Sequence, residues 1–170
     1  MRDTVTGTIL TDWKDNYARQ FGEQELHLAH SLHKSELFTD AALARLLENS
    51  LRENYHVKAT DEGSSSNREG ELGDLSGEEI LKAVKRGKIW INIQHPELVD
   101  PAYGDMLRDM YREFETRVPG LDTFKHMTTI LISSPKVKVR YHADVPGQML
   151  WQIRGSKRVW VYPSHAPWFG

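Results

Sequence analysis

The sequence contains no cysteine among its 170 residues. This absence excludes disulfide bonds and thiolate zinc sites, and it is typical of proteins from a reducing compartment. Long apolar runs are also lacking, and the first seven residues do not have the apolar core of a signal peptide. We therefore expect a soluble, cytoplasmic protein with no membrane partner.

An excess of positive charge is lacking as well. The 22 basic and 24 acidic residues leave a formal net charge of −2, so no basic field for nucleic acid is expected. No glycine-rich phosphate loop is present, which leaves a nucleotide-binding function without support. The partner we expect is a protein or small-molecule substrate.

The length is that of one ordinary domain, and we interpret residues 1–170 as a single α+β domain. Residues 61–74 are polar and glycine-rich, and they are expected to form a mobile loop within that domain. Ser76 and Glu79 match a capping box that opens a helix ending at Gly87, and Asp40 and Asp100 are candidate helix caps. Further helices are predicted at 11–21, 41–51 and 101–117, and strands at 25–32, 55–59, 88–93, 126–133, 148–153 and 157–162.

The stretch that carries the most chemistry is Tyr141-His142-Ala143-Asp144. On a β-strand, residues two apart point to the same face, so the imidazole of His142 and the carboxylate of Asp144 would project together. Two histidines and one carboxylate on one face of the metal form the site of non-haem Fe(II) oxygenases. Taken alone, the triplet is better explained as a solvated strand end.

The residues that follow favour the metal site over a solvated strand end. Gln148 to Arg154 is an apolar, strand-like run, Gly155-Ser156 is a turn, and Lys157 to Tyr162 is a second strand closed by Pro163. The pattern predicts an antiparallel hairpin, with Trp151 and Trp160 packed across its outer face as cross-strand neighbours.

H-x-D followed by Q-I-R-G-x-K-R-V-x-V-x-P resembles the cupin-like branch of the JmjC-type Fe(II)/2-oxoglutarate oxygenases. This branch is related to the asparaginyl hydroxylase of hypoxia-inducible factor. The resemblance is dense over residues 137–163 and weaker over the rest of the chain. It implies a double-stranded β-helix, or jelly roll, with N-terminal helices and strands packed on it, and it implies Fe(II) and 2-oxoglutarate as cofactors.

The same resemblance implies roles for individual residues. His142 and Asp144 correspond to two iron ligands, and Lys157, fifteen positions after His142, corresponds to the lysine that binds the distal carboxylate of 2-oxoglutarate. Gln148 stands where the family often has an amide near the cofactor. Trp90 and Asn92 align with positions that contact cofactor or substrate, although Trp90 also fits a plain core role.

The resemblance is incomplete at the third iron ligand, which the family takes from a histidine on a later strand. Here His165 is the sole histidine after Lys157, and its turn context, Tyr162-Pro-Ser-His-Ala-Pro-Trp, comes too early. The strands at 126–162 also make only about half of an eight-stranded jelly roll. We therefore expect either a fragment or natural truncation of a longer oxygenase, or a barrel that another chain completes. The 170-residue chain alone is expected to be inactive and prone to self-association through its incomplete sheet.

Two functions remain open. The chain is either a 2-oxoglutarate-dependent hydroxylase acting on a C–H bond, or a non-catalytic cupin-like binding or regulatory module. They are distinguished by whether a further histidine-bearing strand completes the ligand set.

A zinc site in the N-terminal part of the chain is a weaker hypothesis. His27, His30 and His33 could bind zinc together only if their segment were helical, since i and i+3 face opposite ways on a strand.

Overall fold

The computed structural model describes residues 7–59, 68–87, 89–139, 141–144 and 148–162. Its described helices are α1 (Tyr17–Gln20), α2 (Asp40–Asn49), α3 (Gly77–Arg86) and α4 (Ala102–Arg117). Its strands are β1 (Tyr55–Ala59), β2 (Arg68–Gly70), β3 (Ile89–Gln94) and β4 (Thr129–Ser133). Short 3-10 turns occur at Leu32–Lys34, Glu36–Phe38, Arg52–Asn54 and Pro96–Leu98. The expected α+β class is confirmed.

The four strands form one antiparallel sheet in the order β2-β1-β3-β4. Strand β3 lies inside the sheet, where Ile91 faces Val57 of β1 and Ile132 of β4. Alternation along β3 separates its side chains into two sets, because successive residues of a strand point to opposite faces. Ile91 and Ile93 are completely buried on the core face.

Helices α2, α3 and α4 supply the other side of the core. Helix α2 contributes a stripe of leucines, Leu43, Leu46 and Leu47, which is buried in the same cluster as the β3 isoleucines. Helix α4 adds Tyr103, whose hydroxyl donates a hydrogen bond to the Leu37 carbonyl at 2.7 Å. Burial raises the pKa of that phenol to about 12, so Tyr103 stays a neutral hydrogen-bond donor.

The predicted N-terminal caps match the structure at α3 and differ by one residue at α2 and α4. The capping box of Ser76 and Glu79 is confirmed at the start of α3, which stops at Gly87. The cap of α2 is Thr39, so the prediction of Asp40 was wrong by one position. Asp100 likewise lies one residue before the observed cap of α4, yet its carboxylate still accepts from the Ala102 N–H at 3.1 Å.

The N-terminal predictions were less accurate. Helix α1 covers only four residues of the predicted helix at 11–21, and the predicted strand at 25–32 is reduced to a bridge between Leu10 and His30. A carboxylate holds this region instead. Glu113 of α4 accepts hydrogen bonds from the Ile9 N–H at 2.7 Å and from the Leu10 N–H at 3.2 Å. Local pattern could not reveal this contact, because its partners are more than 100 residues apart.

The loop prediction at 61–74 holds only in part, because residues 68–70 pair with β1 as strand β2. Residues 61–67 lie outside the described residues. The predicted hairpin at 148–153 and 157–162 is also not observed, since no strand is assigned within 148–162. Among the described residues all strands belong to one sheet, so a jelly roll, which needs two, stays a prediction.

No helix in the described ranges combines the length and the apolar character that crossing a membrane requires.

The contact between α2 and α3 depends on a residue without a side chain. A Cβ added to Gly77 would lie 2.1 Å from the Ala44 carbonyl oxygen, which is backbone and cannot move aside. The Gly77 N–H also donates to a carboxylate oxygen of Glu48 at 2.7 Å. The first residue of α3 therefore packs directly against the backbone of α2.

We predict that Gly77→Ala destabilises the fold by about 3 kcal/mol or more, since α3 must move away from α2 and open the core. Gly104→Ala in α4 is the matched control, because its nearest contact would be a side-chain atom of Glu97 at 3.3 Å. Alanine also has the better helix propensity by about 1 kcal/mol. Urea unfolding of both variants measures the difference, and equal midpoints would contradict the proposed contact.

Candidate metal centre

His142 and Asp144 lie close together in the structure. Nε2 of His142 is 3.5 Å from Oδ2 of Asp144, and both side chains are more than half exposed. Their backbone is not a strand, because no regular structure is assigned to residues 141–144. The predicted convergence of the two side chains is therefore present, although the strand expected to produce it is not.

The separation fits two ligands of one ion. Nitrogen and oxygen ligands about 2.1 Å from a metal lie about 3.0 Å apart at right angles and about 3.4 Å apart at the tetrahedral angle. A distance of 3.5 Å between Nε2 and Oδ2 needs only a small adjustment to reach either arrangement. The imidazole and carboxylate are also the donor types of a non-haem iron site.

A third ligand is not found among the residues that the structure describes, where no group of three or more His, Asp or Glu side chains could hold a metal. His165, the alternative considered from the sequence, lies outside the described residues. Among the described residues, the candidate site therefore has two possible metal ligands.

The other residues expected near the cofactor fall into two sets. Gln148 and Lys157 are both exposed, in a stretch without regular secondary structure. Whether the ammonium of Lys157 faces His142 stays a prediction.

Trp90 and Asn92 share the face of β3 that points away from the isoleucine core. Trp90 is half-buried, and the Lys58 Nζ of β1 lies 5.5 Å from the centre of its ring. Asn92 pairs in register with His56 of β1 and with Leu131 of β4. Its Oδ1 is buried and accepts no hydrogen bond from the described residues. A buried carbonyl without a donor costs free energy, so this face is chemically suited to a ligand that donates a hydrogen bond.

The segment that follows the candidate site contacts the helical part of the protein. Trp151 was predicted to lie on the outside of a hairpin beside Trp160. Its ring instead lies 5.3 Å from that of His30 and 6.1 Å from that of Phe114, whereas Trp160 is 66% exposed. The prediction for Trp151 was wrong because its partners lie far away in sequence.

Arg154 makes the second contact of this segment. Its Nη1 donates to Asp40 Oδ1 at 2.6 Å and to the Phe38 carbonyl at 3.2 Å. The guanidinium of Arg154 holds the pKa of the Asp40 carboxyl below its ordinary value, and Lys85 acts in the same direction. Sequence reasoning gave Arg154 no role, and no local signal distinguishes it from an exposed arginine.

Searches of the chain against protein-family models, curated proteins and solved structures found no match. The family resemblance therefore has no independent support from these comparisons, and function has to be argued from the residues themselves.

We predict that the chain binds Mn(II) or Co(II) weakly, and that His142→Ala and Asp144→Asn each reduce the affinity at least about tenfold, because each removes one of two ligands. Metal titration followed by the paramagnetic effect on NMR resonances of residues 141–144 measures this loss. His27→Ala is the control, since His27 is an exposed histidine in another segment. Equal losses in all three variants would show that the metal binds elsewhere.

Proposed function

We propose that this chain carries part of the active site of an Fe(II)/2-oxoglutarate-dependent hydroxylase of the cupin-like JmjC type. The observation that supports it best is the 3.5 Å approach of His142 Nε2 to Asp144 Oδ2 within an H-x-D sequence. The lysine-containing sequence that follows, residues 152–163, resembles the family pattern. The double-stranded β-helix and the cytoplasmic location belong to the same proposal.

The proposal assigns His142 and Asp144 to the metal and Lys157 to the far carboxylate of 2-oxoglutarate. When bound, the iron and 2-oxoglutarate would supply, with O2 as the oxidant, the hydroxylation of a substrate C–H bond coupled to the decarboxylation of 2-oxoglutarate to succinate and CO2. The protein's own contribution would be two ligands on one side of the ion and, from Lys157, a positive charge that binds the far carboxylate. The third ligand comes from outside the described residues.

Asn92 and Trp90 are the proposed walls of the pocket. The unpartnered Oδ1 of Asn92 could accept a hydrogen bond from a substrate amide or hydroxyl, which fits either a protein side chain or a small molecule. Gln148, which is exposed, has the same capacity with both donor and acceptor atoms. These roles require the Asn92 face of the sheet and the side chains of His142, Asp144 and Gln148 to border one cavity.

A non-catalytic cupin-like module is the second candidate function. The observation in its favour is that the described residues bring two metal ligands together, whereas a facial iron site uses three. Such a module would bind its partner through the same sheet face without turnover.

Lys157 provides the test of cofactor binding. With Mn(II) in place of iron, 2-oxoglutarate should bind the chain, and Lys157→Ala should weaken that binding about tenfold or more, because a charge-assisted contact to a carboxylate is lost. Arg158→Ala is the matched control, since it removes the neighbouring exposed positive charge. Calorimetry of 2-oxoglutarate into each protein measures the affinities. Equal losses in both variants would contradict the assigned role of Lys157.

Turnover distinguishes the two candidate functions. We expect no succinate from the 170-residue chain with Fe(II), 2-oxoglutarate and oxygen, and we expect turnover once a third histidine ligand completes the site. Catalytic succinate release from this chain alone would show that the ligand set is already complete. Metal-independent binding of 2-oxoglutarate would favour the non-catalytic module.

A further inference from the structure

Residues 151–154, which we call the Trp151 segment, lie against residues 30–40 and α4 although they have no regular secondary structure. Trp151 and Ile153 are partly buried on the hydrophobic core, and Trp151 contacts the rings of His30 and Phe114. Arg154 pairs with Asp40. Side-chain contacts and the backbone carbonyls of Gln152 and Phe38 therefore hold this segment, which makes its attachment sensitive to the state of each partner.

His30 is bonded on both ring nitrogens. Its Nε2 lies 3.1 Å from the carbonyl oxygen of Gln152, and its Nδ1 lies 3.2 Å from the backbone nitrogen of Leu32. A carbonyl can only accept and a backbone N–H can only donate, so Nε2 must carry the proton and Nδ1 must be the acceptor. These two partners select the neutral ring and one of its two tautomers.

Protonation of His30 would add a hydrogen to Nδ1, directed at the N–H of Leu32. The two donors cannot share that contact, so the charged ring has to turn, and turning moves Nε2 from the Gln152 carbonyl and the ring face from Trp151. Burial is the main cause that lowers the pKa of His30, and the charge of His33 lowers it further. The hydrogen bond to the Gln152 carbonyl acts in the opposite direction, with an effect smaller than that of burial and larger than that of His33.

We infer that His30 makes a pH-sensitive contact, in which the neutral ring holds the Trp151 segment on the protein and the protonated ring releases it. The inference goes beyond the proposed function, because it requires no metal and no 2-oxoglutarate. The Trp151 segment lies between Gln148 and Lys157 in the chain. Release of the segment would therefore affect any site that these two residues form.

The direction of the pH effect follows from the lowered pKa. Above the ordinary value of 6.5 the ring is neutral in the attached and the released states, and attachment is at full strength. As the pH falls from 6.5 through the lower value of the attached state, protons bind preferentially to the released state and attachment weakens.

Other charged groups around the segment titrate elsewhere or are paired. Asp40, which faces Arg154, has its pKa lowered from 3.8 and stays ionised throughout this range. Glu113 of α4 pairs with Arg117 at 2.8 Å and also accepts from the N-terminal backbone. Asp12 accepts the N–H of Ala29, beside His30, at 2.7 Å. His33, whose Nδ1 lies 3.1 Å from the His30 carbonyl, is the neighbouring imidazole, and its charge is one of the causes that lower the His30 pKa.

The test is an NMR titration of the ¹⁵N-labelled chain from pH 7.5 to 5.0. At pH 7.5 the His30 ring nitrogens should show the neutral form protonated at Nε2. On acidification His30 should titrate with a midpoint below pH 6.5. The indole N–H resonance of Trp151, assigned with Trp151→Phe, should move to its random-coil chemical shift with the same midpoint. A His30 ring protonated at Nδ1, or a Trp151 resonance unchanged through the His30 titration, would overturn the inference.

Two variants separate His30 from its neighbour. His30→Gln keeps an N–H donor for Gln152 but does not titrate, so the Trp151 transition should disappear between pH 7.5 and 5.0. His33→Gln should keep the transition and move its midpoint upward, because the charge that lowers the His30 pKa is gone. A transition that survives in His30→Gln and vanishes in His33→Gln would assign the switch to His33. The wild-type titration decides the matter if either variant is unfolded.

Discussion

The pairing of β3 on both of its edges is the constraint on which the rest of the described structure depends. Ile91 and Ile93 have no exposed surface, because β1 and β4 flank their strand and α2, α3 and α4 contribute to the core on their side. Ser134, just after β4, reinforces the same strand, since its hydroxyl accepts from the Ile89 N–H and donates to the Val84 carbonyl of α3. One buried hydroxyl thus joins the end of the sheet to a helix.

The same pairing determines what the opposite face of the sheet can do. With the isoleucines directed to the core, Trp90 and Asn92 must point to the other side, where β1 contributes His56 and Lys58. This face is polar and aromatic, and it includes a buried carbonyl oxygen without a donor among the described residues. Such a face is costly in a purely structural sheet, and this cost is the physical reason to associate it with binding.

The positions of the candidate metal ligands do not depend on the pairing of β3. His142 and Asp144 approach each other through local chain geometry, without strand pairing. The Trp151 segment downstream is attached through His30, Phe114 and Asp40, which belong to the helical part of the protein. The position of the Trp151 segment is therefore set by contacts with residues 30–40 and with α4.

The sequence by itself determined the local elements whose signals lie within a few residues. The capping box at Ser76 and Glu79, the leucine stripe of α2 and the alternating β3 strand were all predictable, because caps and periodicities are short-range. The closeness of His142 and Asp144 was predictable for the same reason. The strand that was expected to carry them was not found, since strand formation requires a partner strand that local sequence does not specify.

Only the tertiary structure decided the contacts between distant residues. Glu113 binds the backbone of Ile9, Arg154 pairs with Asp40, and Gly77 lies against Ala44, and none of these pairs has a periodicity or a motif. His30 shows the difference most clearly. From sequence it was one of three histidines weighed as a zinc site, whereas in the fold its two ring nitrogens are occupied by Gln152 and Leu32. The chemistry of a histidine depends on which groups its nitrogens meet, and the folded chain decides that.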